Sequence, residues 1–191
     1  MSKQAKTLNE RELRRVLDHM ATRKHAARNR AMLLVTYLAG LRVGETAALR
    51  YGDVVGADGT VLPEIQLTPD QTKGGQSRTV FVSQRLRAEL TQYIQTLHEP
   101  QPRDRLFRTQ KRGVAGFTAN TLTQHFHHLY RAAGIVGASS HSGRRTFITT
   151  LASKGISVRL LQSLAGHRSM ATTQCYIDVN DDMKRKAVEL V

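Results

Sequence analysis

A chain of 191 residues has room for one well-buried domain, or at most two small ones. Lys and Arg number 29 against 15 Asp and Glu, a formal net charge of +14 and a pI near 10.7, which favours nucleic acid or an anionic membrane surface as partner. No stretch is apolar for long enough to span a bilayer, the opening MSKQAKTLNE lacks the apolar core of a signal peptide, and the lone Cys175 rules out an internal disulfide, as suits a reducing cytoplasm.

In chain order, Asn9 with Glu12 three residues on has the form of a capping box and predicts a helix over 10–20. Residues 26–38 repeat apolar side chains at helical spacing, with Met32, Leu33, Val35, Thr36 and Leu38 offered to a core, and Gly40 ends the run. Leu41 and Arg42 open a turn before a short helix over 44–49. From Tyr51 to Ser83 the character changes. Residues 61–67 and 77–82 have strand composition and are joined through Pro69-Asp70 and Gly74-Gly75, which predicts a hairpin. Ser83 is placed to cap a helix over 85–97.

Residues 99–116 hold two prolines, two glycines and the five cations Arg103, Arg105, Arg108, Lys111 and Arg112. That composition predicts a basic loop able to meet backbone phosphates. Helices are expected over 118–133, 141–154, 157–164 and 169–176, with Gly155 and Gly166 as C-caps, and a final polar helix over 181–190. No repeat, low-complexity tract or interdomain linker appears. A single domain over 1–191, mainly α with a small antiparallel β-sheet (α+β), is the economical architecture.

The chemistry concentrates in His141-Ser142-Gly143-Arg144, Gly166-His167 and Tyr176. A guanidinium offers a planar fork of donors matching two phosphate oxygens and never loses its charge. A transferring phosphoryl group spreads negative charge over those oxygens, so a fixed guanidinium helps most in the transition state. An imidazole accepts or donates a proton near neutrality, and a phenol among cations can attack phosphorus. Taken singly, each residue has a bland reading as a solvated basic face, a capping histidine or an amphipathic core tyrosine.

Two upstream features shift that balance. Arg42 stands at the mouth of a helix with Glu45 three residues later to orient it. Lys73 sits near the tip of the expected hairpin, followed by Arg78 on the returning strand, and a lysine there can protonate a departing alkoxide. The ordered set is far harder to reach by chance than any member. His125, His127 and His128 lack a Cys partner and read as a polar helix face rather than a zinc site. Cys175 reads as a small helix residue facing away from Tyr176. No tight cluster of carboxylates suggests a two-metal nuclease.

These residues and their contexts, GLRVGETAALRYGDV, TKGGQSRTVFV and HSGRRTFITTLASKGISVRLLQSLAGH with the trailing Tyr176, resemble the tyrosine recombinase (phage-integrase-type) family over about 9–179. The resemblance implies that Arg42 and Arg144 clamp a scissile phosphate of double-stranded DNA, with His141 and His167 completing the cradle. It implies Lys73 as general acid for the 5′-oxygen, Tyr176 as nucleophile forming a 3′-phosphotyrosyl bond, and Glu45 in a supporting part. Arg78, Arg145 and the loop cations would hold DNA. Neither ATP nor metal is required, so no cofactor is implied. The family works as a tetramer on two DNA sites, exchanging C-terminal segments that residues 180–191 could supply, and acts in the cytoplasm at the bacterial nucleoid. The other readings are a catalytically silent DNA-binding relative and a type IB topoisomerase-like enzyme.

The sequence departs from the family pattern in three places. Arg145 stands where a histidine commonly follows the second arginine, and Ala165 where leucine commonly precedes Gly-His. The third is at the N-terminus, where the residues before Asn9 are too few for the separate helical DNA-clamping domain most members carry. Either the chain is a cut-down catalytic domain, or it has the single-domain format of the fimbrial-switch invertases, whose opening helix His25-Ala26-Ala27-Arg28-Asn29 also resembles.

Overall fold

The computed structural model describes residues 5–109, 116–177, 184–185 and 188–189. The expected helix over 181–190 lies largely outside these residues, and Lys111 and Arg112 lie wholly outside them. Helix α1 (Glu10–Ala21) begins as its capping box requires: the Asn9 side chain accepts from Glu12 N–H at 2.8 Å and Glu12 accepts from Asn9 N–H at 3.1 Å. It buries Leu13, Val16 and Met20 on one stripe. Helix α2 (Ala26–Leu38) is buried continuously from Ala31 to Thr36, and packs against α1, α5 (Gln84–Ile94) and α7 (Ser142–Ser153). A segment buried on all sides belongs at the centre, and residues 31–36 of α2 are that centre.

Gly143 lets α7 lie directly on α2. A Cβ there would stand 2.1 Å from Thr36 Oγ1 and 3.3 Å from the Thr36 backbone carbon, so only glycine fits. The contact sets the position of Arg144, the next residue along.

Helix α3 (Val43–Ala48) and the four-residue α4 (Tyr51–Val54) lead into a two-stranded antiparallel sheet, β1 (Glu64–Leu67) with β2 (Arg78–Phe81), in the register Ile65↔Val80. The hairpin is present, but its first strand is shorter than expected. Pro63 has no N–H to give the ladder, its carbonyl only accepts from Val82 N–H at 2.8 Å, and Val61 instead makes an isolated bridge to Val55. A 3-10 turn, Pro69–Gln71, and the loop 72–77 carrying Lys73 join the strands.

The basic loop is less loose than its composition predicts. Leu106 and Phe107 are buried, Tyr93 stacks on Phe107 at 5.4 Å and donates its hydroxyl to Leu106 O at 2.7 Å, and Arg105 bridges to Arg50. Beyond it come α6 (Ala119–Ala132), α7, α8 (Val158–Ala165) and α9 (Met170–Gln174). On α6, His127 and His128 are exposed, but His125 does not share their face: it turns inward, within 3.1 Å of Asn29 Oδ1 and tilted against Phe117 at 5.4 Å. Its position falls one residue before buried Phe126, on the flank of the apolar stripe. Among the described residues no helix is long and apolar enough to cross a membrane. The fold is mainly α with a small antiparallel sheet, as the sequence predicts.

Candidate active site

Three arginines from three elements converge on the end of α8. Ser157 caps that helix at its start, and Gly166, in the left-handed region at φ 61°, closes it. The last carbonyls of a helix have no partner within it and carry partial negative charge. Here each takes a different guanidinium. Arg78 donates to Leu164 O at 3.1 Å, Arg144 to Ala165 O at 2.5 Å, and Arg42 to Gly166 O at 2.8 Å. Arg144 also donates to Gly40 O at 2.5 Å, so its fork is fixed at both tines.

Glu45 neutralises part of this charge from below. It is 1% exposed, and its carboxylate accepts from Arg42 at 2.7 Å and from Arg78 at 2.7 Å. Burial alone would raise the Glu45 carboxyl, but the hydrogen bond and charge of Arg78, then the N–H and charge of Arg42, hold it below the ordinary carboxylate range. Arg144 is 4% exposed; burial and the positive charge of Arg42 pull its guanidinium below its usual value, yet it stays protonated at neutral pH.

His167, directly after the α8 cap, shares a hydrogen bond of 2.9 Å between its Nδ1 and the hydroxyl of Thr173, a buried residue of α9. Its ring stacks on Tyr176 with centroids 5.6 Å apart, and the Arg145 guanidinium lies 5.3 Å from the Tyr176 ring centroid. Tyr176 thus sits in the turn after α9, between an imidazole and a cation. Burial, then the charges of Arg144, Arg42 and Arg78, push His167 down to about 4, so it is neutral at neutral pH.

That shift has a thermodynamic sign. Burial also pushes His125 down to about 4, against an unfolded value near 6.5, so between these pH values the unfolded chain binds protons that the folded chain does not. Stability is therefore full above about pH 6.5 and falls as pH drops toward 4, by on the order of 1–3 kcal/mol per histidine. Thermal melts at pH 7, 6, 5 and 4 should show the midpoint falling throughout, and less steeply in His167→Gln. A flat profile would contradict the burial of both rings.

An open cleft of about 600 Å³ lies over Arg42 and Arg78, and among the described residues its lining carries the five cations Arg42, Lys73, Arg78, Arg159 and Arg168 and no carboxylate; buried Arg144 is not part of that lining. His167 lines it too; Tyr176 stands one ring behind, through the stack on His167. His141 occupies the N-cap position of α7 without a side-chain capping bond, and is exposed while Arg144 is buried. Partial desolvation, then the charges of Arg144, Lys73 and Arg42, draw His141 below its ordinary range.

The remaining basic residues divide. Arg78 is engaged by Glu45 and Leu164 O while still lining the cleft, and Arg105 donates to Ala48 O at 2.6 Å. Arg108 pairs with Asp104 at 2.5 Å, and Arg103 is exposed. Thr173, Arg159 and Arg168 are site residues that the sequence reading passed over. The available signal for Thr173 is its place six residues after His167, near the end of the short helix that Ser169 precedes.

Residues 6–183 match the phage integrase family. Tyrosine recombinase XerA of Pyrococcus furiosus is 30% identical over 185 residues, a match that covers 96% of this chain and 61% of that relative's length. The solved structure of XerA recombinase superposes with a TM-score of 0.76 at 26% identity, covering 100% of this chain and 66% of the other. The Tn1549 transposon integrase, solved in complex with circular intermediate DNA, has the same fold with a TM-score of 0.75 at 18% identity, covering 98% and 67%. With the arginine cluster, the two histidines and Tyr176 set out along a match that runs nearly the whole chain, the chain belongs to the phage integrase family.

Proposed function

We propose that the chain is the catalytic part of a site-specific tyrosine recombinase, breaking and rejoining double-stranded DNA through Tyr176. The observation that carries this reading is the cleft with, among the described residues, five cations and no carboxylate, backed by the phenol stacked on His167. Such a lining suits a phosphodiester and repels a metal cation. Arg42 and Arg144 each spend two donors on protein oxygens, and a guanidinium has five, so donors remain for the non-bridging phosphate oxygens.

In the forward step the Tyr176 oxygen forms a bond to phosphorus and the bond from phosphorus to the 5′-oxygen breaks. The phenolic proton leaves to the neutral imidazole of His141 or His167, both held below their ordinary range. Lys73 gives a proton to the departing 5′-oxygen. Attack by a second 5′-hydroxyl reverses each transfer and rejoins the strand, so no external energy source enters. Strand exchange would take place in a tetramer on two DNA sites, at the bacterial nucleoid in the cytoplasm. Residues 180–191, the segment expected to pass between protomers, lie largely outside the described part of the chain.

The test is a nicked suicide DNA carrying the protein's own target site. Wild type should trap an SDS-stable protein–DNA adduct and Tyr176→Phe should trap none. Exchange of strands between two sites, beyond relaxation of supercoils, should follow with intact DNA. No adduct from the wild type, or an undiminished one from Tyr176→Phe, would overturn the proposal.

A further inference from the structure

Lys73 stands on an exposed loop, and an exposed lysine is a poor general acid unless something fixes the backbone beneath it. The loop closes on itself: Gly75 N–H donates to Thr72 O at 3.3 Å, and the Thr72 hydroxyl donates to Gln76 O at 2.8 Å. Those bonds shape the loop without placing it against the helices. Arg168 does that. Its guanidinium donates to the Gly74 carbonyl, across 94 residues of sequence. A Cβ on Gly74 would come within 3.2 Å of Arg168 Nε and Nη2, so the guanidinium lies against the first of the two loop glycines, at a distance a side chain there would crowd.

The anchor end of this tether is itself held. Arg168 follows His167, whose ring is fixed by Thr173, and the Gln162 side chain donates to the backbone carbonyls of His167 at 3.1 Å and Arg168 at 3.4 Å. The residue after Lys73 is therefore tied to the residue after His167, and Lys73, Gly74 and Arg168 all line the same cleft.

We propose that Arg168 is a positioning residue for the strand-breaking reaction, holding the loop so that the Lys73 ammonium stands over the leaving 5′-oxygen. The inference rests on the assignment of Lys73 as general acid. It differs from the bland role of a cleft arginine, which is to attract phosphate. An arginine acting on phosphate matters whatever the leaving group. One acting through Lys73 matters only when the leaving group needs a proton.

A bridging 5′-sulfur in place of the 5′-oxygen makes that distinction, because a thiolate departs without protonation. Single-turnover cleavage of nicked suicide DNA is to be compared for the two substrates at saturating protein. Arg168→Ala should slow cleavage of the oxygen substrate about 10–100-fold, the loss expected for a displaced catalytic group, and change the sulfur substrate by less than about 3-fold. Lys73→Ala should show the same selectivity with a larger loss, and the double variant should be no slower than Lys73→Ala. Gly74→Ala, which crowds the guanidinium without removing a charge, should behave like a milder Arg168→Ala. Equal loss on both substrates, or no loss on oxygen, would overturn this inference alone. Failure of the wild type on both would overturn the strand-breaking reading and this inference with it.

Discussion

Arg144→Ala is expected to slow DNA cleavage by about 10³-fold or more while leaving DNA affinity nearly unchanged. The guanidinium is buried, pinned by Gly40 O on one side and Ala165 O on the other, at the same helix end that holds Arg42 and Arg78. A donor fixed before the reaction needs no reorganisation during it, so its value appears in the rate rather than in binding. Affinity draws on the whole basic surface, and one lost cation should lower the salt dependence by about one phosphate contact at most. Arg144→Lys should recover little, because one ammonium cannot reach both carbonyls and a phosphate. The measurement is the single-turnover rate of adduct formation at saturating DNA, beside a circular dichroism spectrum. A folded Arg144→Ala that cleaves within tenfold of wild type would remove Arg144 from the reaction.

Glu45→Ala should produce the largest loss of stability, about 3–5 kcal/mol, because it removes one partner of a buried ionic cluster and leaves the others uncompensated. The carboxylate is 1% exposed and binds Arg42 and Arg78, and Arg144 lies close enough to feel it. Without it, the cations at the end of α8 repel one another in a poorly solvated space. For a chain of this size the thermal midpoint should fall by roughly 6–20 °C. Glu45→Gln keeps the shape and one acceptor oxygen and should cost less. Because the folded carboxyl titrates below its ordinary value of 4.5, its contribution is intact above that pH and lost as pH falls through the depressed value. A midpoint within 2 °C of wild type for Glu45→Ala would show that the cluster contributes nothing net.

Helices α1 and α2 were legible because a capping box and a dense apolar run are local signals, and both begin where the sequence places them. Helix α4 was not, since Tyr51-Gly52-Asp53-Val54 is a single turn with a glycine inside it. The site divides in the same way. Side chains that carry chemistry could be named from identity and order, and His167, Arg42, Lys73 and Arg78 do meet at one cleft. What holds them could not be named. The oxygens of Gly40, Leu164, Ala165 and Gly166 are backbone atoms, and any residue type supplies them. Arg105 shows the same limit: a cation in a Pro- and Gly-rich stretch reads as a phosphate contact, and nothing in the sequence signals that its guanidinium also donates to Ala48 O beside buried Leu106 and Phe107.

The convergence of Arg78, Arg144 and Arg42 on successive carbonyls gives α8 the role of a ruler. The Leu164 and Ala165 carbonyls, successive in the helix, are offset by about 100° around the axis and about 1.5 Å along it, and the left-handed turn at Gly166 aims the third. Exposed side chains such as Arg159 and Leu160 can change without disturbing that spacing. Adding or deleting one residue between Val158 and Gly166 would rotate the whole terminus and release three guanidiniums together. In this segment the number of residues, more than their identity, is what evolution has to keep.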